Sequence, residues 1–536
     1  MVRCIQIDFD KEGAAPAAAV PAAVAAEKSP SRSPSPERRF PKFINTYEEA
    51  YEVAKQVLKE IGESAAPGEL GGLSVLPPEV QAGPWAITKD AAKRTLKYMY
   101  KTIYHTCYML AIIGGTRHLI KLEPLGEDTQ VVKGVPNHYG RIIKQTLDTS
   151  TDKRWNRFKG KQLRVMQCVL KTRRDEATFS TQYDRWIRNM PVALPDGLFI
   201  LNLTDAVILR KDGRKPWEPA GEEVELEKYL PILGGSGSEG CWDIPMPNYD
   251  DIMIVLGEQK VDTFTTSWSE KKGKAVFRGG FTGCGTTGAT NMRIALGEMP
   301  PSSDFDVKLV GHPSNNPRFD PVKGLSFVQT TAQATDQKMS KAQQSTFKYI
   351  LHVDGNVAAY RLLEFMKMGS VIIKVQGGYK LWFEHLLRDQ KNMLLVDADV
   401  EKVKEAVTWC KDNDSACKKI AKRCKELADM MLNKDFIDAT FSNMLWALVG
   451  KQSPSRSASP EAPAPAPKAA TPPPKVATPP PKLPTPPKAA APKLTAKEML
   501  ALRRAQAAAA AGQKGGRTRR LRKRTRKSKK RTTRRR

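Results

Sequence analysis

Residues 346–375, TFKYILHVDGNVAAYRLLEFMKMGSVIIKV, combine the two hydrophobic patterns from which an α/β layer is built. An apolar run ends at Asp354 and Gly355, a helical pattern follows, and a second apolar run rich in β-branched residues completes the stretch. This order predicts a strand, a turn, a helix and a parallel strand. Ligands of open α/β sheets bind beyond the carboxyl ends of the strands, and Arg361 lies at that edge, within the first two turns of the predicted helix.

A glycine-rich segment, FRGGFTGCGTTGATNMR at residues 277–293, repeats the order of strand, loop and helix. It contains a G-x-G-x-x-G pattern, but the following strand lacks the acid that would hold an NAD ribose, and no Gly-Lys-Ser/Thr closes the run as in a P-loop. Arg278 directly precedes the glycines and Arg293 follows them. Backbone N–H groups, hydroxyls and two guanidiniums suit a diphosphate. In the alternative interpretation, Arg278 pairs with a surface acid and the glycines only form a turn.

The rest of the central sequence also alternates between strand-like and helical patterns, which predicts an α/β fold. A change in composition near residues 234–251 is the best candidate for a boundary between two lobes. Segments rich in Ala, Pro and Ser flank this part and predict disordered linkers. The predicted organisation is an N-terminal segment and linker (1–40), an N-terminal lobe (41–245), a C-terminal lobe (246–450), a Pro/Ala/Lys-rich linker (451–493), and a short helix with a basic tail (494–536).

The basic tail carries half of the protein's charge excess. Residues 514–536 contain 15 Lys or Arg residues and no acid, against a formal net charge of +30 for the whole chain. Such a run is typical of segments that bind polyanions. The sequence therefore predicts nonspecific binding of nucleic acid, or of another polyanion, with a steep dependence on salt.

The cysteines and the apolar runs bear on the compartment. The eight cysteines form no C-x-x-C pair and no zinc-type Cys/His cluster, which favours a reducing compartment and predicts no metal site. Cys410, Cys417 and Cys424 recur every seven residues in a helical pattern, which predicts a buried stripe. No apolar run approaches the roughly twenty residues that span a bilayer, and Pro16 and Pro21 break the Ala-rich N-terminal stretch. We therefore expect a cytosolic or virion-associated protein without a secretory signal.

Several separated segments share the pattern of one enzyme family. The opening stretch is preceded by SEKKGKAVFRGGFTG (269–283) and followed by WFEHLL (382–387) and AVTWCKDNDSACKKIAKR (406–423). In this order they resemble glycosyltransferase family 90, the group of capsule-associated xylosyltransferases and protein O-glucosyltransferases. Upstream, LPDGLFILNLTDA (194–206) resembles the segment that carries the family's catalytic aspartate, and DIPMPNY (243–249) resembles the Asp-Ile-Pro segment that follows it.

The resemblance implies two facing Rossmann-like domains (GT-B type), with an acceptor-side first lobe and a UDP-sugar donor held mainly by the second. It implies metal-independent, inverting transfer of a sugar, glucose or xylose, to a hydroxyl of a glycan or protein, without a cofactor. By position, Asp205 corresponds to the base that takes the acceptor's proton, while Arg278 and Arg361 meet the diphosphate, where guanidiniums stabilise the departing UDP. The other donor-binding candidates are Gly279, Thr282, Gly283, Arg293, Asp354 and Ser370.

Other interpretations stay open at this point. Asp205 also suits a turn or a helix cap. Asp397 and Asp399 follow an apolar strand, where an Asp-x-Asp pair could hold a cation, although acids at a helix start give the same pattern. A nucleic-acid packaging or scaffold protein acting through its basic tail is the alternative function, and a nicotinamide oxidoreductase comes third. The Pro/Lys repeats and basic terminus resemble the tails of large DNA virus proteins.

Overall fold

The computed structural model describes residues 40–62, 76–102, 107–124, 137–161, 163–166, 169–172, 180–212, 227–260, 262–313, 316–320, 322–332, 334–336 and 338–450. Contacts divide the chain into two units, Met1–Pro460 and Glu461–Arg536, and every described residue belongs to the first. The predicted linkers and the basic tail, apart from Phe40, lie outside the described residues.

The strands supply three main sheets. In chain order they are β1 (Phe43–Ile44), β2 (Cys107–Ile113), β3 (Thr116–Leu122), β4 (Leu163–Met166), β5 (Val169–Thr172), β6 (Gly197–Asn202), β7 (Ile232–Gly234), β8 (Gly237–Ser238), β9 (Ile244–Pro245), β10 (Lys272–Gly280), β11 (Phe305–Val310), β12 (Arg318–Asp320), β13 (Gly324–Ser326), β14 (Ala334–Thr335), β15 (Phe347–His352), β16 (Val371–Val375), β17 (Tyr379–Lys380) and β18 (Leu394–Val396).

The helices lie between these strands and at the end of the described chain. They are α1 (Tyr47–Ile61), α2 (Pro78–Ala82), α3 (Lys89–Thr102), α4 (Asn137–Thr149), α5 (Ser180–Asn189), α6 (Tyr249–Val255), α7 (Met292–Gly297), α8 (Lys341–Gln344), α9 (Leu362–Met366), α10 (Val400–Asp412), α11 (Asp414–Met431) and α12 (Lys434–Leu448). None of the described helices is both long and apolar enough to cross a bilayer.

The first sheet has the strand order β1-β3-β2-β6-β7-β9 and mixes parallel with antiparallel pairs. Strand β2 runs antiparallel to both β3 and β6, whereas β6, β7 and β9 run parallel. The turn between β2 and β3 consists of Gly114 and Gly115, whose φ angles are 54° and 78°. Two successive positive φ angles are typical of a tight hairpin turn, and glycine adopts them without steric cost. The first sheet therefore departs from the wholly parallel pattern of a Rossmann-like domain.

The second sheet is entirely parallel, with the order β14-β11-β10-β15-β16-β18. Its central strands are buried on both faces, as the continuous apolar runs of β15 and β16 require. Arg361 directly precedes α9 after β15, so the β-α-β unit predicted for residues 346–375 is confirmed. The α/β class is confirmed as well, whereas the facing arrangement of two GT-B domains stays a prediction.

A small third sheet, β13-β12-β5-β4, takes strands from both sides of the predicted lobe boundary. Its β5 pairs with β12 at Val169 and Arg318. The C-terminal helix α12 also contacts residues before that boundary, because Trp186 Nε1 of α5 donates to Asp438 Oδ1 of α12 at 2.8 Å. Residues on both sides of position 245 therefore contact each other in more than one place.

The predicted cysteine stripe is buried, and each of Cys410, Cys417 and Cys424 is 0% exposed. The segment is nevertheless two helices, since α10 ends at Asp412 and α11 begins at Asp414. The break falls at Asn413, whose φ and ψ are −124° and 46°. These angles lie outside the helical region, so the stripe continues across the corner between two helices.

Candidate functional site

Two neighbouring strands of the second sheet end beside each other and carry the candidate site. The chain leaves β10 into the glycine loop (residues 281–291), and it leaves β15 into a turn at Val353, Asp354 and Gly355. Because β10 and β15 are parallel neighbours, these two loops lie at the same edge of the sheet.

Arg293 joins the two loops. Its Nε donates to the carbonyl of Asp354 and its Nη2 to that of Val353, each at 2.8 Å. Its Nη1 donates to Thr282 Oγ1 at 2.6 Å. Burial, with the nearby positive charge of Arg361, lowers the pKa of Arg293 to about 9. Most N–H donors of Arg293 are therefore used in hydrogen bonds that hold the two loops together.

Arg361 is half-buried, and two of its donor atoms are buried and free. Its Nε and Nη2 have no hydrogen-bond partner, and its guanidinium lies 5.1 Å from the centre of the Phe365 ring and 6.0 Å from that of Phe277. Burial lowers its pKa. A buried guanidinium with unpaired donors is unfavourable unless an anion occupies the space beside it. Arg361 therefore has the chemistry of an anion-binding residue.

Arg278 lies on the other side of strand β10. Successive side chains of a strand point to opposite faces, and its neighbour Phe277 is the one that faces Arg293 and Arg361. Arg278 instead pairs with Asp306, with Nη2 and Oδ1 2.7 Å apart. It lines a separate basic pocket with Lys308 and Lys338. The structure therefore does not bring Arg278 together with the other two arginines.

Backbone N–H groups of the glycine loop form hydrogen bonds with side chains of the protein. Gly283 N donates to Asn356 Oδ1 at 2.9 Å, and Thr286 N donates to Asp320 Oδ2 at 2.7 Å. Thr290 Oγ1 also donates to Asp320, at 2.6 Å. Although burial raises the pKa of Asp320, hydrogen bonds from Thr290 and from backbone N–H groups lower it well below its ordinary range. Asp320 is therefore an ionised clamp that fastens the glycine loop to the third sheet.

Close packing explains why glycine is required in this loop. Gly285 has a φ of 85°, and a Cβ built there would lie 2.2 Å from the carbonyl oxygen of Thr290. At Gly279, near the end of β10, a Cβ would lie 2.6 Å from the Phe277 ring. A larger side chain would displace the backbone at Gly285 and the Phe277 ring at Gly279.

Asp354 and Ser370 occupy different ends of the second sheet. Burial raises the pKa of Asp354 to about 6, against the lowering effect of Lys374. Its Oδ1 accepts the N–H of Ala359 at 3.1 Å, and its Oδ2 has no partner. Ser370 lies at the amino end of β16, where its hydroxyl donates to the carbonyl of Phe347 at 2.7 Å. The structure groups Asp354 with Arg293, Arg361 and Thr282, and separates Ser370 from them.

Asp205 follows β6 of the first sheet and is exposed. The chain just beyond it is fixed by buried Asp243, which accepts the N–H groups of Ile208 and Leu209, both at 2.8 Å. Burial raises the pKa of Asp243 to about 7, although these hydrogen bonds lower it. The Asp-Ile-Pro segment noted in the sequence therefore positions the segment after Asp205.

Tyr360 lies close to Asp205 and directly precedes Arg361. Burial, and next the negative charge of Asp205, raise the pKa of Tyr360, whose hydroxyl also bonds to Ser236. A Cβ at Gly235 would lie 2.9 Å from that hydroxyl. Gly235 directly follows β7 and Tyr360 directly precedes Arg361, so the segments that follow β7 and β15 meet here. Sequence reasoning missed Tyr360, although its position beside Arg361 was a usable signal.

The Asp-x-Asp segment forms a helix start. Asp399 is the N-cap of α10, and its Oδ1 accepts the N–H of Glu401 at 2.6 Å. The helix-start interpretation of Asp397 and Asp399 is thus confirmed. Within the described ranges, no group of three or more His, Cys, Asp or Glu side chains is placed to hold a metal.

Cys284, inside the glycine loop, is disulfide-bonded. The other described cysteines, at positions 107, 241, 410, 417 and 424, are free, so its partner lies outside the described residues. The reducing compartment that the cysteine spacing favours does not account for this disulfide. Spacing rules did not detect the pair because they address only cysteines that lie close together in sequence.

Comparison with known proteins finds relatives among viral and animal proteins. The protein is similar to the 035R protein of Invertebrate iridescent virus 3, with 30% identity over 267 residues that cover 46% of this chain and 24% of the viral protein. It is similar to human protein O-glucosyltransferase 3, with 25% identity over 280 residues, covering 49% of this chain and 48% of the human protein. The chain thus spans about a quarter to a half of the length of these relatives.

A solved structure of Anabaena HepE in complex with UDP-glucose aligns with 13% identity and a TM-score of 0.23, covering 37% of this chain and 52% of the other. The model of Glycosyl transferase family 90 matches residues 166–448, which include Asp205, the glycine loop and Arg361. Because this match spans more than half of the 536 residues, the chain belongs to glycosyl transferase family 90.

Proposed function

We propose that this protein transfers a sugar from a UDP-sugar to an acceptor hydroxyl, without a metal ion and with inversion at the anomeric carbon. The observation that carries the proposal is the side chain of Arg361, whose Nε and Nη2 donors are buried and unpaired. It lies at the strand-end edge where ligands of open α/β sheets bind. Membership of family 90 supports assigning this anion site to the diphosphate of a nucleotide sugar.

In the proposed reaction, Asp205 removes the proton from the acceptor hydroxyl. The acceptor oxygen then forms a bond to the anomeric carbon while the bond from that carbon to the β-phosphate oxygen breaks. Arg361 stabilises the negative charge that develops on the departing UDP, and Arg293 keeps both loops in position. A single displacement of this kind inverts the anomeric configuration.

The proposed donors are UDP-glucose and UDP-xylose, and the proposed acceptor is a hydroxyl of a protein or glycan. The relatives named protein O-glucosyltransferase support glucose as the first sugar to examine. We assign no cofactor to the reaction, since the guanidiniums supply the positive charge that a cation would otherwise bring to the leaving group.

The test is UDP release by the full chain from a panel of UDP-sugars, with peptide and oligosaccharide acceptors and excess EDTA. We expect one UDP-sugar to release UDP faster with an acceptor than without, and EDTA to leave that rate unchanged. Loss of the rate in EDTA, with recovery on adding Mg²⁺ or Mn²⁺, would contradict metal independence. No UDP release from any donor would contradict the proposal as a whole.

We propose a separate role for the basic tail, residues 514–536, in binding polyanions. The 15 cations in this segment should release counterions from double-stranded DNA on binding, so its affinity should fall steeply between 50 and 200 mM salt, by about a thousandfold or more. Binding of a labelled duplex by the full chain and by a chain ending at residue 513 measures this effect. Equal affinity of the two proteins would contradict the assignment to the tail.

A further inference from the structure

Arg318 is a buried arginine that the sequence analysis did not identify. It is 1% exposed, and its Nε and Nη1 have no hydrogen-bond partner. No ion pair connects Arg318 with any carboxylate in the described part of the chain. An isolated buried cation with free donors is strongly unfavourable unless an anion neutralises it.

The side chain of Arg318 lies on the glycine-loop face of β12. Residues two apart on a strand point to the same face, and Asp320 on this strand accepts hydrogen bonds from Thr286 and Thr290 of the loop. Arg318 therefore shares a face with the residue that clamps the loop. It also lies within electrostatic reach of Arg293, since its positive charge contributes to the lowered pKa of Arg293, after burial and the effect of Arg361.

The charges around the site do not balance within the protein. Lys374 pairs with Glu384, with Nζ and Oε1 2.6 Å apart. The carboxylate of Asp354 lies near enough to Arg293 to favour the charged form of that arginine. Arg361 and Arg318 then have no acidic partner among the described residues. Two unpaired guanidiniums match the charge of a diphosphate bound between them.

We propose that Arg318 is a second diphosphate-binding arginine, supplied by the third sheet, which acts together with Arg361. This inference rests on the proposed function, because the diphosphate is that of the nucleotide-sugar donor. It assigns a ligand-binding role to the segment between β11 and β15. Planar guanidiniums approaching from two loops would grip the phosphates through charge-assisted hydrogen bonds.

The test compares binding of UDP, inorganic pyrophosphate and uridine to the full chain by calorimetry. We expect Arg318→Met to weaken binding of UDP and pyrophosphate by about tenfold to a hundredfold, as loss of charge-assisted hydrogen bonds does. Uridine, which has no phosphate, should bind the variant and the wild type equally. The Arg318→Lys variant should recover part of the lost affinity, because lysine keeps the charge without the planar fork.

A structural role for Arg318 gives different results. We expect the unliganded Arg318→Met protein to melt no lower than the wild type, because methionine removes a buried unpaired charge. The control variant Arg157→Met removes an exposed arginine that bonds to Asn316, and it should leave all three affinities unchanged. Equal losses for UDP and uridine, or unchanged pyrophosphate binding in Arg318→Met, would overturn the inference.

The same experiment separates this inference from the proposed function. If Arg361→Met loses UDP and pyrophosphate binding while Arg318→Met retains it, the inference fails and the proposed function stands. If the wild type binds neither UDP nor pyrophosphate, both fail. Parallel losses in the Arg361 and Arg318 variants, with uridine unaffected, support both.

Discussion

Asp205→Asn is expected to lower the rate of sugar transfer by about a hundredfold to ten-thousandfold, the range that a positioned general base contributes. Asparagine has nearly the same shape as aspartate but cannot take the proton of the acceptor hydroxyl. Affinity for UDP should stay unchanged, because Asp205 belongs to the first sheet and the proposed phosphate contacts come from arginines elsewhere. The measurement is UDP release at saturating donor, combined with calorimetric binding of UDP.

The control for this variant is Asp184→Asn, on α5, where the carboxylate is partly exposed and pairs with Arg188. This substitution also removes one negative charge, but we expect it to leave turnover unchanged. If Asp205→Asn retains more than about a tenth of the wild-type rate, Asp205 is not the base. The half-buried carboxyl nearby, Asp250, whose pKa is raised by burial and by Glu364, would then be the next residue to replace.

Arg361→Met is expected to lower the rate by about a hundredfold to a thousandfold, which is typical for loss of one group that stabilises developing charge. UDP should bind more weakly as well, because Arg361 contributes unpaired donors to the ground state. The methionine replaces a largely desolvated cation by an apolar side chain beside Phe277 and Phe365. The unliganded variant should therefore melt at the same temperature as the wild type or higher.

The matched control is Arg188→Met, which removes an exposed arginine that bonds to Asp184 at 2.8 Å. It should change neither turnover nor UDP affinity. Arg361→Lys should lie between the wild type and the methionine variant, because a point charge replaces the planar fork. A lowered melting temperature in Arg361→Met, with UDP affinity unchanged, would mean that this arginine supports the fold and not the ligand.

Local patterns predicted the part of the site that lies within one β-α-β unit. The apolar run of β15, the turn at Asp354 and the helical pattern after Arg361 lie next to each other in sequence, so the sequence alone predicted their order and their common edge. A residue that directly precedes a parallel strand lies at the amino end of that strand. The order of the β-α-β unit therefore also places Ser370 at the opposite edge of the sheet.

Long-range contacts determined the remainder of the site. Alternation along β10 predicts that Phe277 and Arg278 point to opposite faces of the sheet. Only the packing of Arg293 and Arg361 against Phe277 shows which of these faces belongs to the candidate site. Arg318 follows a segment rich in Pro and Asn that has no strand-like pattern. It pairs with Val169 of β5, which is remote in sequence. Periodicity within a short window does not contain this information.

The Asp320 clamp also limits what the glycine loop can recognise. In loops that wrap phosphates, backbone N–H groups read the shape of the ligand, and ordering the loop on binding costs conformational entropy. Here Thr286 and Gly283 already donate to Asp320 and Asn356, so the loop is folded before any nucleotide arrives. Under the proposed function, affinity would then depend mainly on charge, which every nucleoside diphosphate offers equally. Under the same proposal, discrimination among the nucleobases is assigned to side chains outside the glycine loop.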